Sequence, residues 1–374
     1  MSKDEVPRRV LPLEDAFEPE GVWLDSAYLH PMSRGVKEAI AEYLRVRTLA
    51  HQPRDGTIAQ REVMQSFAQL INAREDELSF VPGANAAENY IVASLGLSNS
   101  GRIVTDSLHF WGSLYLYDRL RARGVDVTVV EARDGRIDSK DLERALAPGA
   151  DLLALSWVSG FNGFQHDLAE VCRIAHARGV PVYADIVQAV GAVPFDVQAI
   201  PVDFCGTSSY KWLMADLGLG FLYVRPEQMM RLQPIHFGGR QLADPPREGE
   251  LWRPQAGASA LFECGSIANI IVAALRRSLS EILAIGVGEI ATYRRGLLDH
   301  VREEGRRAGL RPLAPASAGP IVVFAYPGAQ SLVGPLRAAG VYVTCYEDRV
   351  RIAPSVFNNH EDVDKLMRVL AGKQ

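Results

Sequence analysis

From Arg102 to Val224 the chain alternates short strand-like runs with stretches of helical period, and this rhythm confines it to one class of fold. The runs 102–105, 125–130, 152–157, 180–184 and 204–207 are rich in β-branched and aromatic residues and too short to be helices. Between them, 113–123, 139–147 and 168–178 carry apolar residues at three- and four-residue spacing. Strands alternating with helices of about 10–15 residues build βαβ units, so the expected architecture is α/β, with a mainly parallel sheet flanked by helices. Upstream, the spacing predicts helices over 31–44 and 63–71, a strand over 78–81, and a turn at 82–88 that runs into a helix over 90–97.

Beyond Gly257 the pattern changes to two long helices, 268–285 and 287–308, then strands at 321–324, 341–344 and 350–352 and a closing helix at 360–370. Single cores stop growing beyond ~250–300 residues, and this chain has 374. The expected division is an N-terminal arm (1–21), a large domain (22–260) and a smaller α+β C-terminal domain (261–374) that includes a long linking helix.

A formal charge of −5 and the lack of any long basic run offer no footprint for nucleic acid. The four cysteines, Cys172, Cys205, Cys264 and Cys345, show no CxxC spacing, which argues against a zinc site or a disulfide framework and for a reducing compartment. No apolar stretch reaches bilayer length and the N-terminus is too polar for a signal peptide, so a cytoplasmic location without membrane contact is expected.

Ligands of mainly parallel sheets sit beyond the carboxyl ends of the strands, and Gly83, Asp106, Ser159, Asp185 and Ser208 all fall at or just past such ends. Lys211 lies in Ser208-Ser209-Tyr210-Lys211-Trp212-Leu213, 26 positions after Asp185. A lysine on a small-residue turn, downstream of a strand-terminal aspartate, is the minimal apparatus for pyridoxal phosphate. The amine condenses with the cofactor aldehyde, and the carboxylate keeps the ring nitrogen protonated so that the ring can draw electrons from a substrate carbanion.

Val182-Tyr183-Ala184-Asp185-Ile186-Val187-Gln188-Ala189-Val190-Gly191, with the lysine segment and Gly218-Leu219-Gly220, resembles the class V aminotransferase branch of the fold type I pyridoxal-phosphate enzymes. That branch includes cysteine desulfurases, isopenicillin-N epimerase-like proteins, kynureninase and several C–S lyases. The resemblance spans Trp23 to Leu370 and implies a role for each matching residue. Gly83-Ala84-Asn85 would form the phosphate turn, joined by Ser208 and Tyr210, with Asn85 where many relatives have Thr. Gln188 would donate to the phenolic oxygen of the cofactor, and Ser159 and Asn162 would lie near the same atom. In His109-Phe110-Trp111-Gly112, Trp111 is the residue expected to stack on the ring, with Phe110 and His109 as alternatives. Arg351 would clamp the substrate α-carboxylate, and Gly265-Ser266 would reach the phosphate of a neighbouring subunit, which implies a homodimer with composite sites.

The reaction is less constrained. Transamination of an amino acid is the main expectation, with C–S or other Cβ elimination and epimerisation as alternatives. A desulfurase needs a mobile nucleophilic cysteine shortly before the carboxylate arginine, and Cys345, six residues before Arg351, ends an apolar strand-like run. The substrate side chain would be read around Tyr28 and His30, in 51–55, or in 234–241.

Overall fold

A computed structural model of the chain describes residues 11, 13–49, 57–243, 252–314 and 317–372. Its centre is a seven-stranded sheet. In spatial order the strands are Leu78–Val81, Gly220–Val224, Phe204–Ser208, Val182–Asp185, Leu152–Ser156, Arg102–Asp106 and Asp126–Val130. Gly220–Val224 runs antiparallel to both of its neighbours, and every other pairing is parallel. Such a sheet has to be covered on both faces, and the side chains divide accordingly. Val104, Leu153, Leu155, Val182 and Ala184 face the helices Thr57–Ile71, Leu168–His176 and Asn269–Ile285. Ile103, Leu152, Ala154, Tyr183 and Phe204 face Ala84–Ser94 and Trp111–Arg121. Burying one such Leu, Ile or Phe contributes about 1.5–3 kcal/mol.

A second, smaller unit holds the four-stranded antiparallel sheet Thr344–Cys345, Arg349–Ile352, Val322–Ala325 and Arg311–Pro312. The helices Val287–Arg307 and His360–Ala371 cover it, burying Leu298, Val301, Val363 and Leu366 against Val322, Phe324, Val350 and Ile352. The two-unit α/β architecture is therefore the one the alternation predicts.

The boundaries differ in two places. Val22–Trp23 pairs in parallel with Val341–Tyr342, and Leu24 enters the core of the small unit, so residue 22 does not begin the large domain. The described part of the expected arm is packed: Leu13 and Phe17 are buried, and Leu13 N–H donates to the Val356 carbonyl at 2.8 Å. Four-residue spacing across the short 3₁₀ turn Glu14–Ala16 puts both apolar side chains on one side. The linking helix Asn269–Ile285 buries Ile271, Val272, Leu275, Leu279 and Ile282 in the large core.

Candidate active site

Adjacent strands end together at the carboxyl edge of the sheet, where Ser156 is in register with Asp185, and Asp185 with Gly206. Ser208 ends its strand two residues beyond Gly206, and Lys211 follows on the tight turn after it. On the other side of Ser208, the Ala84 N–H donates to the Ser208 hydroxyl at 3.0 Å. Gly83 precedes the helix Ala84–Ser94 with a φ of 156°, and a Cβ added there would lie 3.1 Å from the same hydroxyl. Gly206 lets this helix lie close on the sheet, since a Cβ at that position would meet the Ala87 methyl at 2.7 Å. A helix N-terminus, a glycine and a hydroxyl thus meet in one place. That cradle fits a phosphate group. Asn85 is exposed, with its amide beside Gly112 and Phe110.

Lys211 is buried, and burial together with the Arg351 charge pulls its amine down to about 8, while Asp185 and Asp25 oppose that shift. Asp185 is held above the usual carboxylate range by burial, although the His109 imidazole works against the shift. Its Oδ1 accepts from Val187 N–H at 2.9 Å, and its Oδ2 lies 3.4 Å from the Ser156 hydroxyl. A buried carboxylate of this kind suits a ligand that brings its own cation, as a protonated pyridine nitrogen does.

Behind Asp185 lies a network that the sequence did not reveal. The Phe110 N–H lies 2.9 Å from His109 Nδ1, and Nε2 donates to Glu88 Oε1 at 2.8 Å; burial disfavours charge on the ring, but the Glu88 carboxylate outweighs it and raises the imidazole above its ordinary range. Ser113 and Tyr117 also donate to Glu88. Burial alone would raise the Glu88 carboxyl, but the His109 charge, with the hydrogen bonds from His109, Ser113 and Tyr117, outweighs it and holds it low. The available sequence signal was a glutamate on the buried face of an otherwise apolar helix.

The remaining expected residues are distributed unevenly. Gln188 is fixed at both ends, donating from Nε2 to the Ala27 carbonyl at 2.9 Å and accepting from Trp212 Nε1 at 3.1 Å. A Cβ added to Gly160 would lie 3.3 Å from Gln188 Nε2 and 4.0 Å from Arg351 Nη1, so these three groups adjoin. Ser159 is buried, and its hydroxyl accepts from Phe161 N–H at 3.2 Å within its own loop. The Asn162 amide donates to the Gly135 carbonyl at 2.8 Å and accepts from Phe164 N–H at 2.9 Å. Asn162 therefore braces this loop.

Trp111 is 75% exposed on the single chain, with its ring tilted against Phe110. Phe110 is half-buried, and its N–H points at Ser156 and His109, beside Asp185. Tyr210 is half-buried, its ring 5.6 Å from Lys211 Nζ. Gly265 and Ser266 are exposed on a segment that Glu263 ties to Phe80 N–H at 2.9 Å.

Of the expected substrate readers, Tyr28 is exposed. His30 is closed off: Nδ1 donates to the Pro31 carbonyl at 2.7 Å, Nε2 faces the Ser355 hydroxyl at 2.7 Å, and burial pulls the ring down to about 4. Arg240 is engaged by Glu263 at 2.6 Å, and 51–55 lies outside the described residues.

Comparison with known proteins identifies the family and the fold. The family described as aminotransferase class-V matches residues 22–313. A cysteine desulfurase of Shigella sonnei is 30% identical over 294 residues, covering 74% of this chain and 71% of that protein. A probable cysteine desulfurase of Methanothermobacter thermautotrophicus is 28% identical over 280 residues, 73% of this chain and 69% of the relative. Among solved structures, the apo cysteine desulfurase of Thermococcus onnurineus superposes with a TM-score of 0.85 at 23% identity, covering 100% of this chain and 98% of that one. A cystine C–S lyase in complex with cysteine persulfide also gives 0.85, at 18% identity, with 94% and 97% covered. These structures share the fold. With a phosphate cradle, a buried lysine and a buried aspartate on the matched segment, the chain belongs to the class V aminotransferase family, and its cofactor is pyridoxal phosphate.

Proposed function

We propose that this enzyme eliminates a β-sulfur substituent from an α-amino acid, as a C–S lyase. Support comes from the named relatives, which are cysteine desulfurases matched over about three quarters of the chain. They favour elimination over the transamination expected from sequence. Transfer of sulfur to an enzyme cysteine fits this chain less well. Cys345 is paired with Val350 in a short strand, and burial pushes its thiol up to about 11. Cys172 is buried and pushed up to about 12, and Cys205 is buried and raised as well. Cys264 is exposed, but it is far in sequence from Arg351. Release of the sulfur leaving group to solvent, as sulfide from cysteine or as a persulfide already formed within cystine, is the reading we adopt.

Bound pyridoxal phosphate supplies the electron sink for charge left at Cα. Asp185 offers a buried negative charge for the ring nitrogen, and the helix start at Ala84 with the Ser208 hydroxyl would hold the phosphate. Arg351, buried at the edge of the small unit, receives the α-carboxylate through its guanidinium. Lys211 Nζ, with its affinity for protons lowered to about 8, is placed to take the Cα proton near neutral pH and to hand a proton to the departing sulfur.

The test is product analysis of the holoenzyme with L-cysteine, L-cystine and L-alanine, each with and without an oxo acid. Pyruvate, ammonia and a sulfide or persulfide product are expected from the sulfur amino acids, with no oxo-acid requirement. Cys345→Ser is expected to keep this activity, and Lys211→Ala to lose it by about 10²–10⁴-fold. Turnover that requires an oxo acid and yields no free pyruvate from cysteine would return the assignment to transamination.

A further inference from the structure

The guanidinium of Arg351 is partly committed within the chain. Its Nη2 donates to Asp25 Oδ1 at 3.2 Å and to Thr344 Oγ1 at 2.9 Å, so both Nη2 hydrogens are in use. Among the described residues, Nη1 reaches only the Gly160 carbonyl, at 3.4 Å, and Nε is buried without a hydrogen-bond partner. A carboxylate that grips a guanidinium with both oxygens uses either the Nε–Nη2 edge or the Nη1–Nη2 edge. Every two-point grip therefore needs Nη2, the nitrogen that Asp25 and Thr344 hold.

Asp25 does not depend on Arg351 to stay in place. Its two carboxylate oxygens each lie 2.8 Å from the Thr344 hydroxyl, and its backbone bridges to Ala353, two residues past Arg351. When a ligand takes Nη2, Asp25 remains beside it as a like charge. Like charges in a buried site cost affinity.

We propose that Asp25 is a specificity-determining residue, an internal carboxylate that occupies the Arg351 clamp in the free enzyme and that a substrate carboxylate must displace from Nη2. The inference rests on the reading of Arg351 as the seat of the substrate α-carboxylate. Burial already raises the Asp25 carboxyl, and Arg351 is the largest of the influences that pull it back. Losing Arg351 to a ligand leaves Asp25 more willing to accept a proton, which lessens the repulsion without removing it. The clamp is thereby tuned to ligands with enough other contacts to cover the exchange, and against small isolated carboxylates.

The test is calorimetric titration of the holoenzyme with propionate, which carries a carboxylate and no amine. Asp25→Asn keeps an oxygen for Thr344 and Nη2 while removing the charge. It is expected to bind propionate about tenfold more tightly than the parent, the scale of one like-charge contact at intermediate dielectric. The KM for the amino-acid substrate is expected to fall with it. Asp25→Glu, which keeps the charge, is expected to stay as weak as the parent. Asp25→Ser replaces Asp25→Asn if the latter does not accumulate as folded, cofactor-loaded protein.

Unchanged or weaker propionate binding by the uncharged variants overturns the proposal, because Asp25 would then only position Arg351. Tightening by Asp25→Glu overturns it as well. Arg351→Gln separates this from the underlying reading. If the single Arg351→Gln change leaves propionate binding intact, Arg351 is not the carboxylate seat. If Arg351→Gln abolishes binding while Asp25→Asn fails to tighten it, the seat stands and the Asp25 proposal alone falls.

Discussion

Lys211 illustrates how a side chain acquires a function from its surroundings. A free lysine amine is almost wholly protonated at neutral pH, and only the neutral amine attacks an aldehyde. Burial and the nearby Arg351 charge bring this one down to about 8. The neutral fraction rises with pH, so the rate of cofactor capture by the apoenzyme is expected to climb with a midpoint near 8 and flatten above it. Stopped-flow absorbance across the pH range reads this, and a rate still climbing through pH ~10, the range of an unperturbed lysine, would contradict the buried environment. Borohydride reduction followed by peptide mapping is expected to find the cofactor on Lys211 and on no other lysine. At this scale the sequence showed residue types well and side-chain directions poorly. Asn162 and His30 were legible as polar residues near strand ends and loops, yet each spends its hydrogen bonds on local backbone or on the C-terminal unit.

Among the elements, the helix Val287–Arg307 does more than cover the small sheet. From it Arg294, fully buried, donates to the carbonyls of Pro354 at 2.9 Å, Ala192 at 3.4 Å and Pro320 at 2.7 Å. Its guanidinium lies 4.1 Å from the centre of the Trp212 ring, the residue after Lys211. Trp212 in turn donates to Gln188, which donates to Ala27. Burial pulls Arg294 down to about 9, which leaves it charged at neutral pH. This arginine ties the small unit to the lysine turn. Arg294→Met would leave three carbonyls without a donor and remove the cation over Trp212, so a loss of about 3 kcal/mol is expected in urea unfolding. Weaker cofactor binding is expected with it, because the Trp212 side of the Lys211 turn loses its support. An unchanged urea midpoint would show that the domain tie is dispensable. Helical periodicity identified this helix but not the inward arginine, since a single charge on an amphipathic helix reads as part of its solvated face.

For the whole molecule, the open question is the second subunit. Gly265 and Ser266 are exposed on the single chain, as are Trp111 and Tyr115 on the helix Trp111–Arg121. If Gly265-Ser266 completes a neighbour's phosphate site, the cofactor touches both chains and stabilises only the assembled state. A homodimer is therefore expected, dissociating more readily once pyridoxal phosphate is stripped. Sedimentation of holo and apo forms at low micromolar concentration reads this, and an active monomeric holoenzyme would exclude composite sites.

What the sequence determined by itself was the parallel core and the cofactor. The core follows from local period between Arg102 and Val224, and the cofactor from residues close along the chain, from Val182 to Gly220. Only the tertiary structure decided that Val22–Trp23 joins the small unit, that Asp25 sits on Arg351, and that Glu88 and His109 stand behind Asp185. Asp25 and Arg351 are 326 residues apart, and no local pattern encodes their meeting. It follows from how the two cores pack, because a two-residue strand has no register of its own until a neighbouring strand supplies one.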